Sequence, residues 1–235
     1  MTKAAFFKEN WQGEADCANC AIRNSVLFAG LDPIECEHIH RPIDDFTLPP
    51  HSTLYRAGDP AQFLFTIRSG LLKLVQYLPD GRQRIVRLLR DTDVTGLEAL
   101  LGQTYQHDAV VLHEAQICRI PLDVVQLLDR ENPKLHRELM TRWQRALDEA
   151  DAWLTQLSTG SARARMARLL LRLSQKRGDK PCQLFAREDI GAMLGITTET
   201  ASRIIAEFRR SGAIQDAGGD AVRCDVRTLE SLAAD

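Results

Sequence analysis

"REDIGAMLGITTETASRIIAEFRRSG", Arg187 to Gly212, carries two apolar patterns separated by a single glycine. In the second pattern Ala201, Ile204, Ile205 and Phe208 fall at i, i+3, i+4 and i+7. That spacing draws one apolar stripe on a helix and turns it toward a core. The other side of the same helix holds Glu199, Ser202 and Arg203, with Thr198 in its first turn. The first pattern, around Glu188 to Leu194, turns Ile190 and Leu194 inward. Gly195 stands where the chain must turn sharply, and only glycine takes the left-handed conformation without steric cost. Thr197 is placed to cap the second helix by accepting a backbone N–H that has no helical partner. The stretch is therefore predicted to be a helix-turn-helix.

In such a motif the N-terminal half of the second helix enters the major groove of duplex DNA. The side chains gathered there suit base edges. Arg203 can hold guanine O6 and N7 in a bidentate contact, Glu199 can accept from the cytosine N4 amino group, and Ser202 can reach a base or a phosphate. Thr198 joins this base-reading set. Arg187, Thr197, Thr200, Arg209 and Arg210 are the candidates for the phosphate backbone. The competing reading is a surface ion pair between Glu199 and Arg203 at i, i+4, worth a few tenths of a kcal/mol.

The flanking segments extend the motif. Val222, Cys224 and Val226 alternate behind Gly218-Gly219, as in a hairpin that would act as a wing. "ARARMARLLLRLSQ" is an amphipathic helix with Met166, Leu169, Leu170 and Leu173 inward, and Thr159-Gly160-Ser161 before it reads as a hinge. Upstream, Pro133 suits a first helical turn and no further proline or glycine occurs until Gly160. A helix of roughly 26 residues would extend about 39 Å. Leu135, Leu139, Ala146, Ala150, Trp153 and Leu157 recur along it and are read as a face that meets a second copy of the chain.

From Phe46 to Pro121 the pattern is strand-like: "FLFTIRSG", "LLKLVQYLPDG", "RQRIVRLL" and "AQICRIP", with Gly58, Gly70, Gly81 and Gly96 read as turn residues near their ends. Short strands at this spacing predict an antiparallel barrel or sandwich. A helix is expected over Pro33 to Ile43. The domain reading is 1–45 for an N-terminal segment with a cysteine motif and helix, 46–132 for a sensor barrel, 133–158 for a dimerisation helix and 159–235 for a winged helix-turn-helix.

Charge agrees with a polyanion-binding end. Residues 159–235 carry 13 Lys/Arg against 10 Asp/Glu, whereas residues 1–158 carry 17 against 22. There is no apolar run long enough to span a bilayer and no secretory signal pattern, so the expected location is the cytoplasm. The six cysteines are accordingly expected as thiols, metal ligands or redox sensors. The chain has no Gly-rich phosphate loop, H-E-x-x-H or G-x-S-x-G, so it is not read as an enzyme.

Over about Cys17 to Val226 the sequence resembles the Crp/Fnr transcriptional regulators, through "FTIRSGLLKL", the long helix and "DIGAMLGITTETASRII". The resemblance implies an α+β fold: an N-terminal antiparallel β-barrel of the cyclic-nucleotide-binding jelly-roll type, a long dimerisation helix and a C-terminal winged helix-turn-helix. It also implies a homodimer on double-stranded DNA, with RNA polymerase as a further partner. The E-x-x-S-R pattern of Glu199, Ser202 and Arg203 resembles the Fnr branch, which implies an inverted repeat close to TTGAT-N4-ATCAA. The Crp branch has an arginine where Thr198 stands.

For the effector, the resemblance divides. The cyclic-nucleotide branch holds its ligand with G-E-[LI] and R-[ST]. Here Leu97-Glu98 follows Gly96, and Gln106, His107 and Asp108 occupy the place of the Arg-Ser/Thr pair, so a phosphate would meet a carboxylate. Cyclic-nucleotide sensing is not expected. The Fnr branch holds a [4Fe–4S] cluster with C-x2-C-x5-C and a distant cysteine in a C-x-IP context. Cys17, Cys20 and Cys118 match, Val26 stands at the third N-terminal position, and Cys36 is the nearest substitute. A cluster needs four ligands, usually thiolates. The expectation is therefore control by oxygen, redox state or NO through these cysteines. Several alternatives stay open: a thiol–disulfide or zinc site at the C-x2-C, haem near His51, His107 or His113, an organic ligand in the barrel, cysteines with no sensing role, or a ligand-binding module with no gene-regulatory output. Cys182 and Cys224 are read as structural.

Overall fold

The computed structural model describes residues 11–14, 43–131, 133–175 and 181–234. Cys17, Cys20, Val26, Cys36 and the helix expected from Pro33 lie outside the described residues. The described chain falls into two compact units, one comprising its residues up to Gln76 and Arg87–Leu147, the other Tyr77–Val86 and those from Asp148 onward.

Seven strands share one sheet whose residues, apart from those in Tyr77–Val86, belong to the first unit: β1 (Trp11–Glu14), β2 (Asp44–Leu48), β3 (Thr53–Tyr55), β4 (Phe63–Tyr77), β5 (Gln83–Leu89), β6 (Val94–Thr95) and β7 (Asp108–Pro121). Their order is β1-β2-β7-β4-β5, with β3 beside β7 and β6 beside β4. The main ladder runs antiparallel from Phe63 opposite Pro121 to Val75 opposite Asp108. Leu64, Ile67, Leu72, Val111 and Ile117 from these two strands are fully buried and form the centre of the core. Among the described residues the strand path ends at β1 and β5 without closing, a minor departure from the expected antiparallel barrel.

Gly70 differs from its expected role. It does not end a strand but lies inside β4, where "FLFTIRSG" and "LLKLVQY" run on as one strand with register shifts on both sides of Ser69. At φ 101° it lets β7 approach so closely that a Cβ would lie 2.3 Å from the Glu114 carbonyl. Gly is needed there for a bulge and a close backbone contact, not for a chain reversal.

Helix α1 (Leu122–Glu131) follows β7, and α2 (Pro133–Leu157) is the expected long helix, beginning on its proline. The second unit holds α3 (Ala162–Gln175), β8 (Cys182–Gln183), α4 (Arg187–Leu194), α5 (Thr198–Arg210), β9 (Ile214–Asp216), β10 (Ala221–Cys224) and α6 (Val226–Ala233). Strands β9 and β10 form the expected hairpin, and β8 adds on the other side of β10. Val226 is a correction: it leaves the hairpin and opens α6, because Asp225 accepts from the Thr228 N–H at 3.0 Å and starts a helix there.

Candidate nucleic-acid interface

Helix α5 is built as its periodicity predicts. Ala201, Ile204, Ile205 and Phe208 are buried, whereas Thr198, Glu199, Ser202 and Arg203 are exposed along the opposite side. Its start is fixed by two local devices. Gly195 takes the left-handed conformation at φ 64° and returns its N–H to the Gly191 carbonyl. Thr197 then accepts from the Thr200 N–H at 3.2 Å. Helix α4 buries Ile190, Met193 and Leu194 beneath it, and Arg165 of α3 donates to the Leu194 carbonyl, covering an acceptor that a helix end leaves unsatisfied.

The exposed tip is polarised. The Glu199 carboxyl is held below the usual carboxylate range, first by its own backbone N–H and then by the Thr197 hydroxyl. It is therefore ionised and can only accept hydrogen bonds. The alternative Glu199–Arg203 ion pair is not among those of the described residues; Arg203 instead lies 3.5 Å from the Thr200 hydroxyl, at the edge of hydrogen-bond range. The tip thus presents an acceptor and a five-donor fork side by side, a combination able to read a cytosine and a guanine edge.

The backbone candidates are placed less uniformly. Arg209 is paired with Asp216 of β9 at 2.8 Å, so a phosphate would have to compete with that carboxylate. Arg187 is half-buried and donates to the Phe185 carbonyl; burial, and then the nearby Arg209, lower its pKa. Arg210 and Thr197 are exposed and Thr200 is half-buried.

Two residues that the sequence reading passed over help to shape the site. A Cβ on Gly191 would lie 2.7 Å from the Ile196 carbonyl, so only glycine permits this crossing of α4 by the turn. Arg84, in the Tyr77–Val86 segment of the same unit, sets its guanidinium against Gly195. The Gly191 signal was present in "DIGAMLG" as a glycine one turn before the turn glycine; nothing local marked Arg84.

The face assigned to a second copy needs correction. Leu135, Leu139, Trp153 and Leu157 are at most 6% exposed in the single chain, so they belong to the chain's own core. Ala146 is half-buried and Ala150 exposed. The large apolar side chains that α2 leaves exposed, among the described residues, are Met140, Leu147 and Leu154, at 47, 54 and 64% exposure. They recur every seven residues, the repeat by which paired helices meet.

Of the cysteine set, only Cys118 is described. It sits half-buried in β7, opposite Asp45 on one side and Thr66 on the other. Among the described residues no group of three or more His, Cys, Asp or Glu is placed to hold a metal ion. Asp108 is 9% exposed and accepts from the Ala57 N–H at 2.8 Å. Tyr55 and Tyr105 stack nearby at 4.1 Å between ring centroids, and burial pushes the Tyr105 hydroxyl up to about 12.

Comparison with known proteins supplies the family. Residues 46–132 match the cyclic nucleotide-binding domain and residues 164–232 the Crp-like helix-turn-helix domain. The transcriptional activator protein anr of Pseudomonas aeruginosa is 31% identical over 227 residues, covering 94% of this chain and 93% of that protein. The chain belongs to the Crp/Fnr family. It is a DNA-binding transcriptional regulator, not an enzyme, and the Crp-like helix-turn-helix overturns the reading as a module without gene-regulatory output. An anaerobic regulatory protein of Aggregatibacter actinomycetemcomitans is 28% identical, over 86% of this chain and 81% of its own. A solved CRP-family transcriptional regulator from Thermus thermophilus superposes with a TM-score of 0.69 at 27% identity, over 80% of this chain and 96% of that one. Among the described residues of this Crp/Fnr regulator, no helix is long and apolar enough to cross a membrane.

Proposed function

We propose that the chain acts in the cytoplasm as a homodimer on an inverted repeat close to TTGAT-N4-ATCAA, under the control of oxygen, redox state or NO. The observation that carries the DNA reading is the two-sided helix α5, its apolar face buried and its Glu199, Ser202 and Arg203 exposed. Thr198 completes the base-reading set, and Arg187, Thr197, Thr200, Arg209 and Arg210 meet the backbone. Two copies, joined along Met140, Leu147 and Leu154, place their α5 helices in successive major grooves about 34 Å apart. RNA polymerase is the further partner of the DNA-bound dimer.

The effector assignment rests on Cys17, Cys20, Cys36 and Cys118, four thiols for the four ligands that a [4Fe–4S] cluster requires. The sheet bears on two of them, Cys17 and Cys118. Glu14 of β1 lies opposite Asp44 of β2, and the next residue of β2, Asp45, lies opposite Cys118. Cys17 is three residues past Glu14; three residues of extended chain reach about 10 Å, and two strand spacings are also about 10 Å. These cysteines would hold the cluster, which would supply the oxygen- or NO-labile centre. The names of the relatives, anaerobic regulatory protein among them, accord with this control. Cyclic nucleotide is disfavoured because a phosphate would meet the Asp108 carboxylate, already engaged by Ala57.

Anaerobic purification, a visible spectrum and operator gel shifts test both parts. A broad band near ~400 nm of the kind cysteine-ligated clusters give, lost on exposure to air together with operator affinity and absent in Cys118→Ser, is the expected result. Equal affinity in wild type and Cys118→Ser, with and without oxygen, removes the sensor assignment and leaves the DNA-reading one standing.

A further inference from the structure

Cys182 and Cys224 stand 42 positions apart in sequence, yet their Sγ atoms are 3.6 Å apart, one thiol hydrogen-bonded to the other. The topology explains the meeting. Cys182 of β8 lies opposite Val222 of β10, and Cys224 is two residues further along, where strand alternation returns the side chain to the face of Val222. Cys182 is buried and Cys224 half-exposed. Neither belongs to the reading face of α5 or to the proposed cluster ligands.

We propose that Cys182 and Cys224 form a dithiol–disulfide site, converted by exchange with a low-molecular-weight disulfide into a covalent bridge between β8 and β10. A disulfide requires an S–S distance of about 2.0 Å, so the sulfurs must close by about 1.6 Å. Rotation of the two side chains about their Cα–Cβ bonds serves that closure. The half-exposed Cys224 thiolate attacks one sulfur of the reagent, forming a mixed disulfide and expelling the first small thiolate. The Cys182 thiolate then attacks the Cys224 sulfur and expels the second. Two protein thiols are oxidised, one small disulfide is reduced to two thiols, and the two protons pass to the leaving groups.

The surroundings set rate and consequence. The hydrogen bond to Cys182, and then burial, push the Cys224 thiol above its ordinary value. Cys224 is therefore protonated at neutral pH, and exchange accelerates as pH rises. The bridge would enclose everything from β8 to β10: both helices of the helix-turn-helix and the hairpin. A cross-link around a loop of that size removes freedom from the unfolded chain. The bridged unit therefore melts at a higher temperature than the reduced one, independently of whatever the N-terminal cysteines hold.

The test uses the full chain, purified anaerobically in reductant, desalted and incubated with oxidised glutathione at alkaline pH. Remaining thiols are alkylated and peptides mapped without reduction. The expected product is a Cys182–Cys224 peptide about 2 Da lighter than its two reduced halves, with a rise in melting temperature that dithiothreitol reverses. In Cys182→Ser the reaction stops at a glutathione adduct on Cys224, and the rise is lost. Recovery of both cysteines alkylated in wild type, a glutathione adduct on Cys224 that never closes, or bridges from either residue to a different cysteine overturns the proposal. Operator binding is not read, so failure here leaves the DNA-reading proposal intact.

Discussion

Arg203 and Glu199 differ in what holds them. Arg203 has a weak contact to Thr200, so its guanidinium can turn to a guanine at little cost. Arg203→Ala is expected to remove about 1–3 kcal/mol of discrimination at one base pair of each half-site, measured as a flattened preference in operator-variant gel shifts; an unchanged preferred sequence would show that Arg203 does not read a base. Glu199 is instead tied to the helix start by its own N–H and Thr197. With its folded pKa depressed, its ionised form is fully present above the ordinary glutamate value and is lost only as pH falls through the lower folded value. Thr197→Ala should move the Glu199 titration, followed by carbon NMR, back up toward the ordinary range. The same change removes the cap and costs about 1 kcal/mol of stability. A Glu199 titration unmoved by that substitution would exclude the hydroxyl as its partner.

At the level of elements, the helix-turn-helix is held by a contact as much as by a turn. Helix α4 crosses beneath the loop at Gly191, whose missing Cβ leaves room for the Ile196 carbonyl. Gly191→Ala keeps a helical backbone conformation, so its cost comes from crowding rather than from torsion. Overpacking of this kind costs about 1–3 kcal/mol. The expected outcome is a lower melting temperature together with weaker binding to all duplexes, since α5 loses its support before it loses any base contact. Normal melting and normal binding would mean that α4 and the loop separate without consequence. A sequence pattern marks Gly195 because a turn demands it, whereas the demand on Gly191 arises only once the two segments cross.

For the whole molecule, the long helix α2 has two apolar sides with different destinations. Leu139 is 2% exposed and supports the fold; Leu147 is 54% exposed and faces outward. Leu147→Glu is expected to convert the dimer to monomer in sedimentation analysis, with operator affinity falling because two half-sites are no longer held together, while the melting temperature of the monomer changes little. Leu139→Ala should instead cost about 2–5 kcal/mol of stability and leave association intact. The reverse pattern would return the dimer face to Leu135, Leu139, Trp153 and Leu157.

The sequence alone determined the parts of this protein whose requirements are local. The stripe of α5, its cap at Thr197, the glycine at 195, the proline opening α2 and the hairpin glycines each follow from backbone geometry and from the 3.6- and 2-residue periods, which neighbours in the chain suffice to satisfy. Tertiary structure decided what depends on segments brought from afar. It assigned the inner and outer stripes of α2, since spacing shows that a side chain is apolar but not which surface covers it. It turned Gly70 from a turn into a bulge pressed on β7, set Asp216 against Arg209, and brought the sulfurs of Cys182 and Cys224 within 3.6 Å. Each of these is a distance between residues whose separation along the chain carries no record of their separation in space.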